Sequence, residues 1–271
     1  MELVDAHQHV GTLEDAVSYQ GQPIGQELPV DTDAARRAQM MDAAGVSWAV
    51  LQPAHAYLRP DGIRDTMKVN DRMARYRDIA PQRFRAILGT VEPLYGERSI
   101  PEIERCKNEL KLNGMSWHHR FSGVFIDSKW MWPYLRRMAE LNLVPLIHVN
   151  VDSSLEAHWR LQRLAREFSN MTFLALDGLW SYERARHVFE TAASTPNVIW
   201  DIGGPANYIG IEEWVNKNGA DTICFSADLA YASGPVEKPK LQVQVEKAKV
   251  PDSVKEKVFA GNIYRLFGFS R

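Results

Sequence analysis

Short apolar runs that end on a polar or turn residue recur along the chain, and each is followed by a stretch with apolar positions at helical spacing. Eight runs read as strands, over residues 3–6, 48–51, 84–88, 114–117, 144–147, 172–176, 198–200 and 222–225, several of them rich in β-branched or aromatic side chains. Helices are predicted between them over 33–44, 67–79, 100–112, 132–141, 155–168, 182–193 and 211–218. Gly45, Pro81, Gly114, Pro145, Pro196 and Gly219 stand where those helices should stop. A last helix opened by Pro251 and capped by Asp252 runs through Val258 into a closing tail over 261–268. Regular alternation of strand and helix is the mark of a parallel sheet, and eight units predict a single-domain (β/α)₈ TIM barrel over residues 1–271. Longer loops are expected over 11–30 and 227–239.

Composition agrees and narrows the function. With 45% hydrophobic and 24% charged residues the chain can bury a substantial core. Its 34 acidic and 32 basic residues are mixed along the sequence, for a net charge of -2, so no long-range field gathers nucleic acid or anionic lipid. Cys106 and Cys224 lie far apart and match neither a disulfide framework nor a zinc-knuckle spacing, which suits a reducing compartment. The opening MELVDAHQHV lacks a basic n-region and an export-type apolar stretch, and no run approaches a membrane span. A cytoplasmic enzyme with a small-molecule substrate is therefore expected, with neither nucleic acid nor membrane as partner and with homodimer formation open.

In a parallel barrel the strand C-termini converge on one mouth, so the side chains at those ends decide the chemistry. Here they are heavily polar. Strand one ends in Asp5-Ala6-His7-Gln8-His9, where alternation points both imidazoles to one side and lets them reach one ion. The later strands lead to His55, Glu92, His118-His119-Arg120, His148, Asp177, Asp201 and Asp228. A His-x-His pair alone is weak evidence for a metal site. An N-terminal His-x-His strand, a strand ending in Ile147-His148 and a last strand ending in Ser226-Ala227-Asp228 form one coherent constellation.

With those residues in place, the chain resembles the amidohydrolase-related family, the branch that holds aminocarboxymuconate-semialdehyde-type and aromatic-acid decarboxylases and sugar or pyrone lactonases. The likeness runs nearly end to end. It rests on Val4-Asp5-Ala6-His7-Gln8-His9, on the segment from Ala139 through Leu141, Val144 and Pro145 to His148, on Ser226-Ala227-Asp228, and on the tail Gly261-Asn262-Ile263-Tyr264-Arg265-Leu266-Phe267-Gly268. It implies that His7, His9, His148 and Asp228 surround one divalent ion, zinc ahead of manganese. Two positions depart from the family pattern. Asp177 stands where strand six usually ends in an acid/base histidine, and Leu229-Ala230 replace a proline expected soon after Asp228. No lysine ends strand four, which favours one ion over two.

A divalent ion with Asp228 as general acid/base supports hydrolysis of a lactone or amide. The same centre supports nonoxidative decarboxylation of an aromatic or unsaturated acid, with Asp177, His118, His119 and His55 as candidate proton donors. A metal-free or catalytically lapsed barrel that binds a metabolite is the reading of another class. Of His118 and His119, a continuing strand turns only one inward, and His118 is favoured. Asp177 also fits a structural role, for example paired with Arg184; Asp201 reads as structural, and His158 and His187 as solvated helix residues. Trp130, Trp180, Tyr208 and Tyr231 are candidates for an aromatic wall, and Arg59, Arg120 or Lys129 for holding a substrate carboxylate.

Overall fold

All eight apolar runs become strands: β1 (Val4–Val10), β2 (Trp48–Pro53), β3 (Ala86–Gly89), β4 (Gly114–Trp117), β5 (Val144–His148), β6 (Phe173–Leu176), β7 (Val198–Asp201) and β8 (Ile223–Cys224). The computed structural model describes residues 1–11, 28–57, 59–150, 152–179, 182–203, 209–227 and 240–270. Asp228, Trp180, Tyr208 and Tyr231 lie outside them. The strands pair in parallel and in sequence order within one sheet. Ala6 N–H donates to the Phe225 carbonyl at 3.2 Å, so β1 meets the end of β8 and the sheet closes into a TIM barrel.

Helices α1 (Val30–Ala44), α2 (Ile63–Ile79), α3 (Ile100–Asn108), α4 (His119–Ser122), α5 (Trp132–Leu141), α6 (His158–Glu167), α7 (Tyr182–Ala192) and α8 (Ile211–Asn218) follow the strands. The chain ends with α9 (Lys240–Lys247), α10 (Asp252–Glu256) and α11 (Asn262–Phe267). Gly45 terminates α1 in the left-handed region at φ 70°, as its position suggested. Among the described residues no helix is long and apolar enough to cross a membrane.

Alternation along the strands separates two cores. On β6, Leu174 and Leu176 join Val4, Ala6, Val50, Leu88, Leu146 and Ile199 inside the barrel. Phe173 and Ala175 instead pack outward with Leu161, Leu164 and Val188 of the helices. Each such Val, Leu, Ile or Phe side chain, fully buried, contributes roughly 1.5–3 kcal/mol. The tail plugs the barrel floor: Ala260, Ile263 and Tyr264 belong to the inner core, and Trp48 Nε1 donates to the Tyr264 hydroxyl at 3.2 Å.

His158 departs from the expected solvated position. At the start of α6 it is 8% exposed, and its Nδ1 meets Thr191 Oγ1 of α7 at 2.5 Å. Because the Thr191 hydroxyl donates to the His187 carbonyl, Nδ1 is the donor in this contact. Burial, with the His187 charge adding to it, pulls His158 from 6.5 down to about 4. Over that range the unfolded chain binds a proton that the folded chain refuses. Stability therefore falls as the pH drops below about 6.5, and the loss is complete near 4. Discounted for the open side of the groove around it, the loss amounts to about 1–2 kcal/mol. Urea unfolding at about pH 7 and about pH 5 should show a fall in the parent that is smaller by most of this amount in His158→Gln, the other buried imidazoles contributing alike to both. A variant that keeps the full pH dependence would remove His158 as its source.

Candidate metal centre

Strict alternation through β1 would not place all its inward residues correctly, since Val4 and Ala6 already occupy the inner core. A register shift in the β1–β2 pairing between Asp5 and Gln8 moves the phase by one residue, and His7 and His9 then face the mouth. Asp5 holds this irregularity. Its Oδ1 accepts the His7 N–H at 3.1 Å and the Ala227 N–H at 2.8 Å, and its Oδ2 accepts Gln8 Nε2 at 3.0 Å. Burial raises its carboxyl from 3.8 to about 6.

Three imidazoles converge. His7 Nε2 lies 3.1 Å from His9 Nε2, and His148 Nε2 lies 3.2 Å from the same atom. On each ring the other nitrogen faces an acceptor: Asp201 Oδ2 at 3.3 Å from His7, the Pro53 carbonyl at 3.2 Å from His9, and the Trp117 carbonyl at 2.9 Å from His148. Protonated Nδ1 atoms satisfy those acceptors, so all three Nε2 atoms carry lone pairs aimed at one another. Lone pairs at this separation repel unless a cation lies between them, and nitrogens around a tetrahedral zinc stand about 3.3 Å apart for bonds of about 2.0–2.1 Å. The donor set therefore fits the implied ion. Burial first, and neighbouring imidazole charge second, hold His9 and His148 well below 6.5, which keeps them in the neutral, ligating form.

Around this trio the mouth is crowded with polar side chains. His118 stacks on His148 with ring centroids 4.2 Å apart and planes 5° apart, and its Nδ1 bonds the buried Glu156 carboxylate. Burial pulls His118 down while Glu156 opposes it. Burial pushes Glu156 up, yet His118 and the Arg120 N–H together keep it below 4.5. Asp177 adopts φ +67°, a left-handed conformation that costs a non-glycine residue energy and that aspartate tolerates better than most. Its N–H donates to Asp201 Oδ1 at 3.0 Å, and its own Oδ1 lies 3.8 Å from His7 Nδ1. One side-chain donor atom from each of His118, His148 and Asp177 lies within 4.8 Å of the others. His55 closes the ring of imidazoles, with centroids 5.9 Å from His9 and 5.5 Å from His148.

His7, His9, His148, His118, Asp177 and His55 thus come together as the strand ends implied. His119 does not. It opens α4, fully buried, with Nδ1 on the Val124 carbonyl at 3.0 Å. Two further residues carried no sequence signal for this site, and a third was flagged only as a strand end. Gln52 Nε2 reaches within 3.4 Å of His9 Nε2 and 3.5 Å of His148 Nε2. Glu156 comes from the segment before α6. Asp201, expected to be structural, is the group that orients His7; it also accepts Ser226 Oγ at 2.7 Å. Gly203 packs so tightly here that a Cβ would collide with both Asp201 and Ser226. Arg184 pairs with Asp152, not Asp177. Arg59 is neutralised by Glu92 at 2.9 Å and bonds the His55 and Tyr57 carbonyls, so it braces the loop rather than awaiting a ligand. A separate groove of about 770 Å³, lined by His158, Tyr182 and His187 among others, shares no residue with the cluster.

A family model described as Amidohydrolase matches residues 4–269. No functionally curated protein matches the sequence. Among solved structures, 5-carboxyvanillate decarboxylase from Sphingomonas paucimobilis is similar with a TM-score of 0.72 at 17% identity, covering 99% of each chain. 2,6-Dihydroxybenzoate decarboxylase from Rhizobium gives 0.70 at 15% identity, again over 99% of each chain. Dihydroxybenzoic acid decarboxylase from Polaromonas sp., solved with manganese and the inhibitor 2-nitroresorcinol, gives 0.71 at 17% identity over 100% of this chain and 98% of the other. At such identities the likeness establishes the fold.

Proposed function

The chain belongs to the amidohydrolase family, and from that premise we propose a metal-dependent hydrolase that opens a lactone-type cyclic ester or amide of a small carboxylated molecule. The observation that carries the reading is the convergence of three buried Nε2 lone pairs at separations of 3.1 and 3.2 Å. His7, His9 and His148 hold the ion, with Asp228 as the fourth ligand. Imidazole and carboxylate suit zinc, and manganese fits as well, the ion present in the Polaromonas structure. When bound, such an ion supplies Lewis-acid chemistry, lowering the pKa of water to about 7 and polarising a carbonyl oxygen. Asp228 takes the proton of the attacking water and returns it to the leaving oxygen. Glu156 fixes Nδ1 of His118 and leaves Nε2 as the atom that holds or delivers a proton at the mouth. Asp177 borders the same space.

Decarboxylation is the second reading, favoured by the likeness to three decarboxylase structures. In it the bond to the departing carboxylate breaks, its electron pair stays on carbon, and His118 Nε2 or Asp177 delivers the proton that fills the vacancy. Metal-loaded protein incubated with lactones and with aromatic or unsaturated acids separates the two. Acid release from lactones without carbon dioxide supports the hydrolase, and carbon dioxide from the acids supports the decarboxylase. Tight binding without turnover of either class would leave a metabolite-binding barrel.

A further inference from the structure

Gln52 lies against two of the three converging imidazoles. Along β2, Trp48 and Val50 point into the barrel while Ala49 and Leu51 pack outward, so the same alternation turns Gln52 inward at the mouth. Beyond the offset in β1, Gln52 is the register partner of His9, which sets the two side chains side by side across the parallel pair. The residue is fully buried. One end of its amide, Nε2, lies 3.4 Å from His9 Nε2 and 3.5 Å from His148 Nε2. The imidazole nitrogens stand 3.1 and 3.2 Å apart, so the amide head occupies a further corner of the same cluster.

The other end of the amide is mismatched. Oε1 is buried and has no hydrogen-bond partner among the described residues, an unfavourable setting for a strong acceptor. Nitrogen and oxygen of a terminal amide have nearly the same shape, and only their hydrogen bonds tell them apart. A half-turn about the last side-chain torsion, a soft rotation, exchanges the two. A cation among the imidazoles uses the lone pairs of His9 and His148 and leaves the NH₂ no acceptor there. Inward-facing amide hydrogens would also oppose its charge, whereas an inward oxygen favours it. Gln8 shares the orphaned Oε1, but its Nε2 donates to Asp5 Oδ2 at 3.0 Å, which fixes that amide in one orientation.

Resting on the metal-site reading above, we propose that Gln52 is a further ligand of the ion, through Oε1 in the half-turned orientation of its amide. A neutral amide oxygen holds no ion by itself and adds to what the imidazoles bind. As a hard donor it suits manganese better than zinc, so Gln52 tunes which ion the centre prefers.

Cobalt, whose visible absorption strengthens as its coordination number falls, tests the assignment by titration of the parent, Gln52→Leu and Gln52→Glu. Leucine fills nearly the same volume without a donor atom and keeps water from that corner, so the cobalt spectrum of Gln52→Leu should gain intensity. Manganese affinity of this variant should fall roughly 10-fold, and zinc affinity by less. Gln52→Glu keeps the shape and puts a charged oxygen at the same corner. It should bind manganese roughly 10-fold more tightly than the parent, with a cobalt spectrum close to the parent's. The glutamate variant decides the matter alone if the leucine variant does not fold. A cobalt spectrum unchanged in Gln52→Leu, or no gain in manganese affinity in Gln52→Glu, overturns the assignment and leaves the metal centre standing. A parent that takes up no cobalt overturns both.

Discussion

Purified protein supplied with zinc or manganese is expected to carry close to one divalent ion per chain, and a His7→Ala, His9→Ala variant close to none. The reason lies in where the protons are. His7, His9 and His148 each use Nδ1 against a fixed acceptor and present a bare Nε2 to the same point. Removing two of the three donors leaves His148 alone among the converging imidazoles, too few ligands for tight binding even with Asp228 as the proposed fourth. Elemental analysis against protein concentration measures this directly. His7 and His9 are buried, so thermal unfolding of the variant is recorded beside it to separate metal loss from misfolding. A folded parent that holds little metal after loading would sink the metalloenzyme reading and leave the metabolite-binding barrel standing.

The second large effect is expected one step away from the metal. Asp201→Asn preserves shape but reverses a polarity. The Asp177 N–H requires an oxygen at the Oδ1 position, which places the new amide NH₂ against His7 Nδ1 and Ser226 Oγ. Ser226 can rotate and accept. His7 cannot remain protonated on Nδ1 facing a donor, so its proton moves to Nε2 and the lone pair that serves the ion is lost. Metal affinity, measured by competition with a chromophoric chelator, should fall roughly 10- to 100-fold while the melting transition stays near the parent's. Unchanged affinity would mean that Asp201 merely fills space.

Much of this was legible in the chain. The predicted ranges of β4, α5 and α8 coincide with the structure because each is a clean apolar pattern bounded by glycine, proline or asparagine. α3 stops at Asn108 rather than at 112, since the following residues turn through Lys111 at φ 57°. α9 went unseen because its sequence KLQVQVEK alternates in a way that marks no helix. Within the site, histidine spacing and strand ends pointed to His7, His9, His148 and His118, because ligands gather where parallel strands finish. Gln52 and Glu156 escaped since an amide and a loop carboxylate announce nothing until the fold sets them beside an imidazole. His158 was misjudged from its charged sequence neighbours, when the deciding neighbour was Thr191 on the next helix. Asp228 lies outside the described residues, so its part rests on the family pattern.

The register shift in β1 means that the metal site is written partly in arithmetic. His7 and His9 face the mouth because one residue between Asp5 and Gln8 is out of step with β2. A substitution scan reads letters and leaves the count alone, so it would credit the histidines and miss the spacing that aims them. Without that offset, strict alternation from Val4 and Ala6 would turn both imidazoles toward the helices. In comparisons among relatives, gaps in this strand therefore carry as much weight as the identity of the ligands.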